Sequence, residues 1–180
     1  IDNFNAKDYD IKGAKLAEVD RWILSKLNSL IKNVKEWNEI YEITRSVRAI
    51  QDFMNDEVSN WYVRRSRKRF WSMEVTEDKK AAYLTLNKVL VETAKLIAPF
   101  APFISEELYL NLDKSKDSVH LEDFPTFDAE MIDPELEKKM EIVQQLVYLG
   151  RAVRNDVQIK VRQPLYQAIV PGKYKSYVDL

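Results

Sequence analysis

A chain of 180 residues with 46% hydrophobic and 32% charged side chains is long enough to bury a real core, which excludes disorder of the whole chain. It has no cysteine, one histidine (His120) and three glycines (Gly13, Gly150, Gly172), which excludes disulfide scaffolds, Cys-ligated zinc or iron-sulfur sites, paired-histidine metal motifs and glycine-rich phosphate loops. Twenty-eight basic against 29 acidic side chains leave a net charge of −1, so a polyanion partner needs a local cluster of cations.

Residues 1–15 keep no sustained period and read as an approach segment. A helix is predicted from Leu16, because Val19, Ile23, Leu27, Leu30, Val34 and Trp37 advance in steps of three and four, with Lys26, Asn28, Lys32 and Glu36 on the other side. Asn38 and Glu39 break that pattern. A second stripe, Ile43, Val47, Ile50, Met54, Val58 and Trp61, begins within a few residues, so the two helices form an antiparallel hairpin. Extending the stripe lands on Arg65 and Lys68, which turns the apolar face cationic where the core is expected to end.

Residues 72–80 are polar and read as a loop before a third helix marked by Ala82, Leu86, Val89, Leu90, Ala94 and Ile97. Pro99 stops that helix, and Pro102 suits the first turn of a short one through Phe103, Ile104, Leu108 and Leu112. Residues 113–132 are acidic and irregular. Asp133-Pro134-Glu135 is a start signal for another long helix, whose stripe is Leu136, Met140, Val143, Val147, Gly150, Val153 and Val157, with Gly150 on the buried side permitting a close helix crossing. After Asp156 the pattern alternates, and residues 166–170 read as the first strand of a following module. The expected fold class is therefore an all-α antiparallel bundle of four to five helices over 16–157, with the start of a small mixed module over 158–180.

The longest near-apolar run, 96–104, is nine residues with two prolines, against the roughly 20 that span a bilayer, so no membrane crossing is expected. The chain opens with Ile1 and carries no secretory pattern, and it reads as a piece of a longer protein. Nothing in it selects a catalytic group. Asp56 and Glu57 are neighbours that face different directions on a helix, His120 reads as a structural loop residue, and no nucleophile elbow occurs.

Charge, balanced overall, is uneven along the chain. Residues 64–69 hold five cations and no acid, and residues 148–175 hold six cations against Asp156 alone. The stretch 61–71, WYVRRSRKRFW, interleaves its cations with Trp61, Tyr62, Phe70 and Trp71. Arg64, Arg67 and Lys68 fall within about 100° of helix circumference, and Arg65 and Arg69 stack four apart on another face. Two readings stay open. Such a cluster suits phosphates on both sides of a groove, with Trp71 or Phe70 stacking on an unpaired base. Alternatively the arginines pair with acids such as Asp20, Asp52 or Asp56, and the chain is a helical protein-interaction bundle. Arg151, Arg154, Lys160 and Arg162 form a weaker second candidate, since a helix C-terminus favours cations for local reasons.

Several segments taken together resemble the anticodon-binding helical domain of class I isoleucyl-tRNA synthetases. They are DRWIL at 20–24, SNWYVRRSRKRFW at 59–71, LIAPFAPFISEELY at 96–109, SVHLEDFP at 118–125 and KVRQPL at 160–165. The APFAPFISEE type of segment at 98–107 and the DRWIL start also look like valyl and leucyl enzymes, whereas the 61–71 tract and KVRQPL point to the isoleucyl branch. The resemblance implies a tRNA-binding module inside a monomeric, ATP- and Mg-dependent cytoplasmic ligase, acting beside that ligase's other domains. The family's His-x-Gly-His and Lys-Met-Ser-Lys-Ser signatures are absent here, so no catalytic residue, metal or cofactor is expected within these 180 residues. The tRNA-contact candidates are Arg64, Arg65, Arg67, Lys68, Arg69, Trp71, Arg151, Arg154, Lys160 and Arg162.

Overall fold

The computed structural model describes residues 11–113, 115–167, 169–172 and 174. The chain divides into two compact units, Ile1–Ile132 and Asp133–Leu180. Most of the expected approach segment lies outside the described residues; its end, Ile11–Gly13, is one turn of 3-10 helix.

The first unit is an antiparallel helical bundle that opens with α1 (Glu18–Glu39). No side chain caps the start of α1 from position 17. Instead Asp20, in its first turn, accepts the Ala17 backbone N–H at 3.0 Å. The expected stripe is buried at Ile23, Leu27, Leu30 and Val34, but so are Trp22, Leu24, Ser25, Asn28 and Ile31, because neighbours cover α1 on more than one side. Asn28 thus departs from the expected polar face: its amide donates to the Leu24 carbonyl at 2.8 Å, and its Oδ1 accepts the Asp128 N–H at 2.7 Å. A buried amide survives there because both ends are bonded.

Tyr41, at φ 61°, turns the chain through the left-handed region into α2 (Ile43–Asp52). The Ser46 hydroxyl bonds Asn38 Oδ1 at 2.8 Å across that link. The helical rod continues without a break through a π-helical segment, Phe53–Val63, into α3 (Arg64–Phe70). Residues 72–76 form the loop, which ends earlier than expected, because Thr76 caps α4 (Glu77–Ile97) by accepting the Lys79 N–H at 3.2 Å. Pro99 and Pro102 act as expected, and α5 (Pro102–Leu112) doubles back along α4. Its inward residues are Ser105 and Tyr109, while Phe103, Ile104 and Leu108 are exposed.

The irregular stretch that follows holds 3-10 turns at Val119–Leu121 and Ala129–Met131 and is pinned by side chains. Glu106 accepts from the Ser118 hydroxyl at 3.0 Å and the Val119 N–H at 2.8 Å. The Tyr109 hydroxyl donates to Glu122 at 2.7 Å, and Lys95 pairs with the same carboxylate at 3.0 Å. The Tyr109 bond first, and Lys95 second, hold the Glu122 carboxyl at about 2, below its ordinary 4.5. The segments 96–109 and 118–125 therefore serve to lock one corner of the bundle.

In the second unit, Asp133 caps α6 (Pro134–Asp156) by accepting the Leu136 N–H at 3.0 Å, with Pro134 in the first turn, as expected. Leu136 and Met140 are buried, but the stripe then rises to the surface: Gly150 is exposed, with no atom within 4 Å of where a Cβ would sit, so it makes no close crossing among the described residues. The helix ends in a Schellman turn. Gln158 at φ 55° donates to the Asn155 carbonyl at 3.0 Å, and Ile159 donates to Arg154 at 2.8 Å. Among the described residues of 166–170 no strand forms, because these apolar residues meet no partner strand to complete a ladder. No described helix is long and apolar enough to cross a membrane.

Candidate nucleic-acid interface

The π segment decides what the basic tract presents. An i→i+5 ladder turns less per residue than an α-helix, so the inward face falls behind the expected stripe. Phe53, Val58 and Tyr62 point into the bundle, whereas Trp61 is only half-buried. Past the segment the inward places go to Ser66 and, partly, to Arg69 and Phe70. Arg65 and Lys68, which an unbroken stripe would have turned inward, are exposed, as are Arg64 and Arg67.

Arg69 is the cation drawn inside. Its guanidinium grips the fully buried Asp20 carboxylate with two bonds of 2.7 Å, and its Nε reaches Asp78 at 2.9 Å. The Tyr62 hydroxyl adds a third side-chain bond to Asp20 at 2.7 Å. Burial, the largest single influence on Arg69, works against its charge, but the bonds from Asp20 and Asp78 outweigh it and its pKa moves up. Burial first, and the Asp20 charge second, push the Tyr62 hydroxyl well above its ordinary 10, so it stays a donor. One network thus joins the start of α1, the end of α3 and the start of α4.

The other four cations meet no carboxylate within ion-pair distance among the described residues. Asp52 and Asp56, named above as possible partners, pair with none of them. Two cations lie against aromatic rings: Arg65 is 5.5 Å from the Trp61 ring centre, and Arg67 is 5.3 Å from that of Trp71. Trp71 is 77% exposed. Phe70 is not available for stacking on a base, because it already lies on Tyr83 at 5.7 Å and edge-on to Tyr62 at 6.3 Å. Beneath this end of α3, the buried Lys79 ammonium holds the Ser72 carbonyl at 2.6 Å and fixes the loop that carries Trp71 onward.

Of the second cluster, which lies in the other unit, Arg151, Lys160 and Arg162 are exposed. Arg154 differs: one of its terminal nitrogens donates to the carbonyls of Lys160 at 3.0 Å and Gln163 at 2.8 Å, which ties down the chain after α6. Sequence reasoning named Asp20 among possible partners but missed Tyr62 and Asp78 as its companions. The signal for Asp78 was Thr76 followed by two acids, a helix start.

A family model described as the anticodon-binding domain of tRNA ligase matches residues 20–169. The chain is 49% identical over 179 residues to the isoleucine-tRNA ligase of Clostridium tetani, covering 96% of this chain and 17% of that protein. It is 47% identical over 176 residues to the isoleucine-tRNA ligase of Bacteroides thetaiotaomicron, covering 95% and 15%. Isoleucine-tRNA ligase 2 of Bacillus cereus is 46% identical over 180 residues, covering 99% and 17%. The chain spans about one sixth of the length of these curated relatives.

Proposed function

This chain belongs to the anticodon-binding domain family of tRNA ligases, and from that premise we propose that it binds the anticodon stem-loop of an isoleucine-accepting tRNA. Attachment of the amino acid, with its ATP and Mg, falls to other domains of a longer, monomeric cytoplasmic ligase. The observation that carries this reading is the set of four exposed cations, Arg64, Arg65, Arg67 and Lys68, with no acid neutralising them among the described residues, beside the exposed indole of Trp71. The rival reading, a protein-interaction bundle, requires intramolecular ion pairs to consume the tract, and among the described residues they consume Arg69 alone.

Guanidinium groups bind phosphate in a bidentate fork, so the three arginines suit the RNA backbone, while Trp71 offers a face to an unpaired base. Arg151, Lys160 and Arg162 supply further backbone contacts from the second unit. Affinity then follows counterion release: four phosphate contacts contribute about 3–4 to the slope of log affinity against log salt. The test is a titration of the chain with isoleucine tRNA, followed by fluorescence anisotropy at several salt concentrations. Changing Arg64, Arg65, Arg67 and Lys68 together to Gln is expected to remove most of the affinity and flatten the slope by about that amount. Trp71→Ala is expected to weaken binding about 5- to 100-fold with the slope unchanged, because stacking releases no ions. Binding by the fourfold variant as tight and as salt-sensitive as before would refute the reading, as would competition by heparin or an acidic protein equal to that by tRNA.

A further inference from the structure

A cationic helix grips a phosphate chain only if its side chains point the right way, and here that direction is set by the segment before the helix and secured at its far end. With an unbroken α-helical period, the stripe through Ile50, Met54, Val58 and Trp61 would carry Arg65 and Lys68 into the bundle. The π segment Phe53–Val63 sets the face back, Tyr62 and Ser66 take the inward places, and Arg69 meets Asp20. α3 is only seven residues long, carries five cations that repel one another, and is followed directly by a loop. It inherits its rotation from the unbroken rod behind it, but local charge works against its last turn, and only side-chain contacts fix that end. Phe70 packed on Tyr83 and Tyr62 holds that end on its apolar side, and the fork of Arg69 on Asp20 is its polar clamp, with Asp20 itself anchored by the Ala17 N–H and the Tyr62 hydroxyl.

We propose, resting on the tRNA reading above, that Asp20 is a positioning residue for RNA binding: through Arg69 it fixes the roll of α3, so that Arg64, Arg65, Arg67 and Lys68 face the phosphate backbone together. A fully buried carboxylate is a poor choice if stability alone is at stake, since apolar side chains of similar volume commonly fill such a place at least as stably. The best-attested use of a buried ion pair is to select one geometry over its near alternatives. Here the alternatives are rolls of α3 that would turn Arg65 or Lys68 toward the bundle and Arg69 away from it. The pair joins residues 49 apart in sequence, so it ties the cationic helix to the start of α1.

The experiment compares Asp20→Asn and Arg69→Lys with the unaltered chain in the same salt-dependent tRNA titration, with circular dichroism and Trp fluorescence recording the fold of each sample. Arg69→Lys keeps the charge and loses the fork, and it decides the matter if Asp20→Asn does not fold. Folded variants are expected to bind about tenfold more weakly at ~0.1 M salt, with the slope reduced by about one to two, because cations that point away release fewer ions. A purely architectural role would lower stability and leave the slope of the folded protein alone. Folded variants with unaltered affinity and slope therefore overturn the proposal. The fourfold Gln variant runs alongside: if it binds normally, the tRNA reading itself fails, whereas loss in that variant with normal binding by Asp20→Asn and Arg69→Lys overturns the positioning role alone.

Discussion

Arg69→Met tests the network as a source of stability. Methionine keeps an unbranched stem of similar length and removes the guanidinium, leaving Asp20 fully buried with only the Ala17 N–H and the Tyr62 hydroxyl. The Arg69 side chain is 15% exposed and that of Asp20 0%, so solvent screens this pair little. Asp78, 56% exposed, returns to water and adds almost nothing to the loss. Breaking a buried pair by removing one partner costs about 3–5 kcal/mol. With a urea dependence of about 2 kcal/mol per molar, the unfolding midpoint moves down by about 1.5–2.5 M. Trp22 is buried in the same unit and reports the transition by fluorescence. Because the cost comes from a stranded charge, Asp20→Asn added to Arg69→Met is expected to recover at least about 1 kcal/mol: the amide oxygen still accepts from Tyr62, and no charge is left behind. A midpoint shift under about 0.3 M for Arg69→Met, or a double variant less stable than the single one, would refute this account.

Two further outcomes follow from the fold. Thr76→Ala removes the cap of α4 and is expected to cost about 1 kcal/mol, lowering the melting temperature by about 2–4 °C; an unchanged temperature would mean that water satisfies the Lys79 N–H equally well. Glu122 is held at about 2 against an ordinary 4.5. Its folded value is the lower one, so its contribution is fully present above pH 4.5 and is lost as pH falls toward 2. Urea midpoints of the unaltered chain and of Glu122→Gln are expected to converge between about pH 6 and about pH 3; parallel curves would contradict the assignment.

What was legible in the sequence is what depends on neighbours along the chain. The α1 stripe, the stop at Pro99, the restart at Pro102 and the cap at Asp133 are local signals of period, proline geometry and hydrogen-bonding side chains. The cations of 64–68 were likewise visible by composition. The roll of α3 was not legible, because a stripe counted at a fixed α-helical period has no means of registering a π segment, and so it placed Trp61 inward where Tyr62 belongs. Asp20 was legible as a possible partner, but not that Arg69 is the arginine it withdraws, since the two lie 49 residues apart. The strand expected over 166–170 does not form among its described residues for a related reason: β-branched residues favour a strand only where another strand completes the ladder.

The bond from the Asp128 N–H to Asn28 spans 100 positions of chain and closes over one side of α1. On a ribosome adding about 5–20 residues per second, α1 emerges some 5–20 s before this last covering segment is available. The flank of α1 under the Ala129–Met131 turn must stay wet, or be shielded by a chaperone, for that interval. Translational pausing inside 40–128 would therefore lengthen the period in which the nascent polypeptide is prone to aggregate.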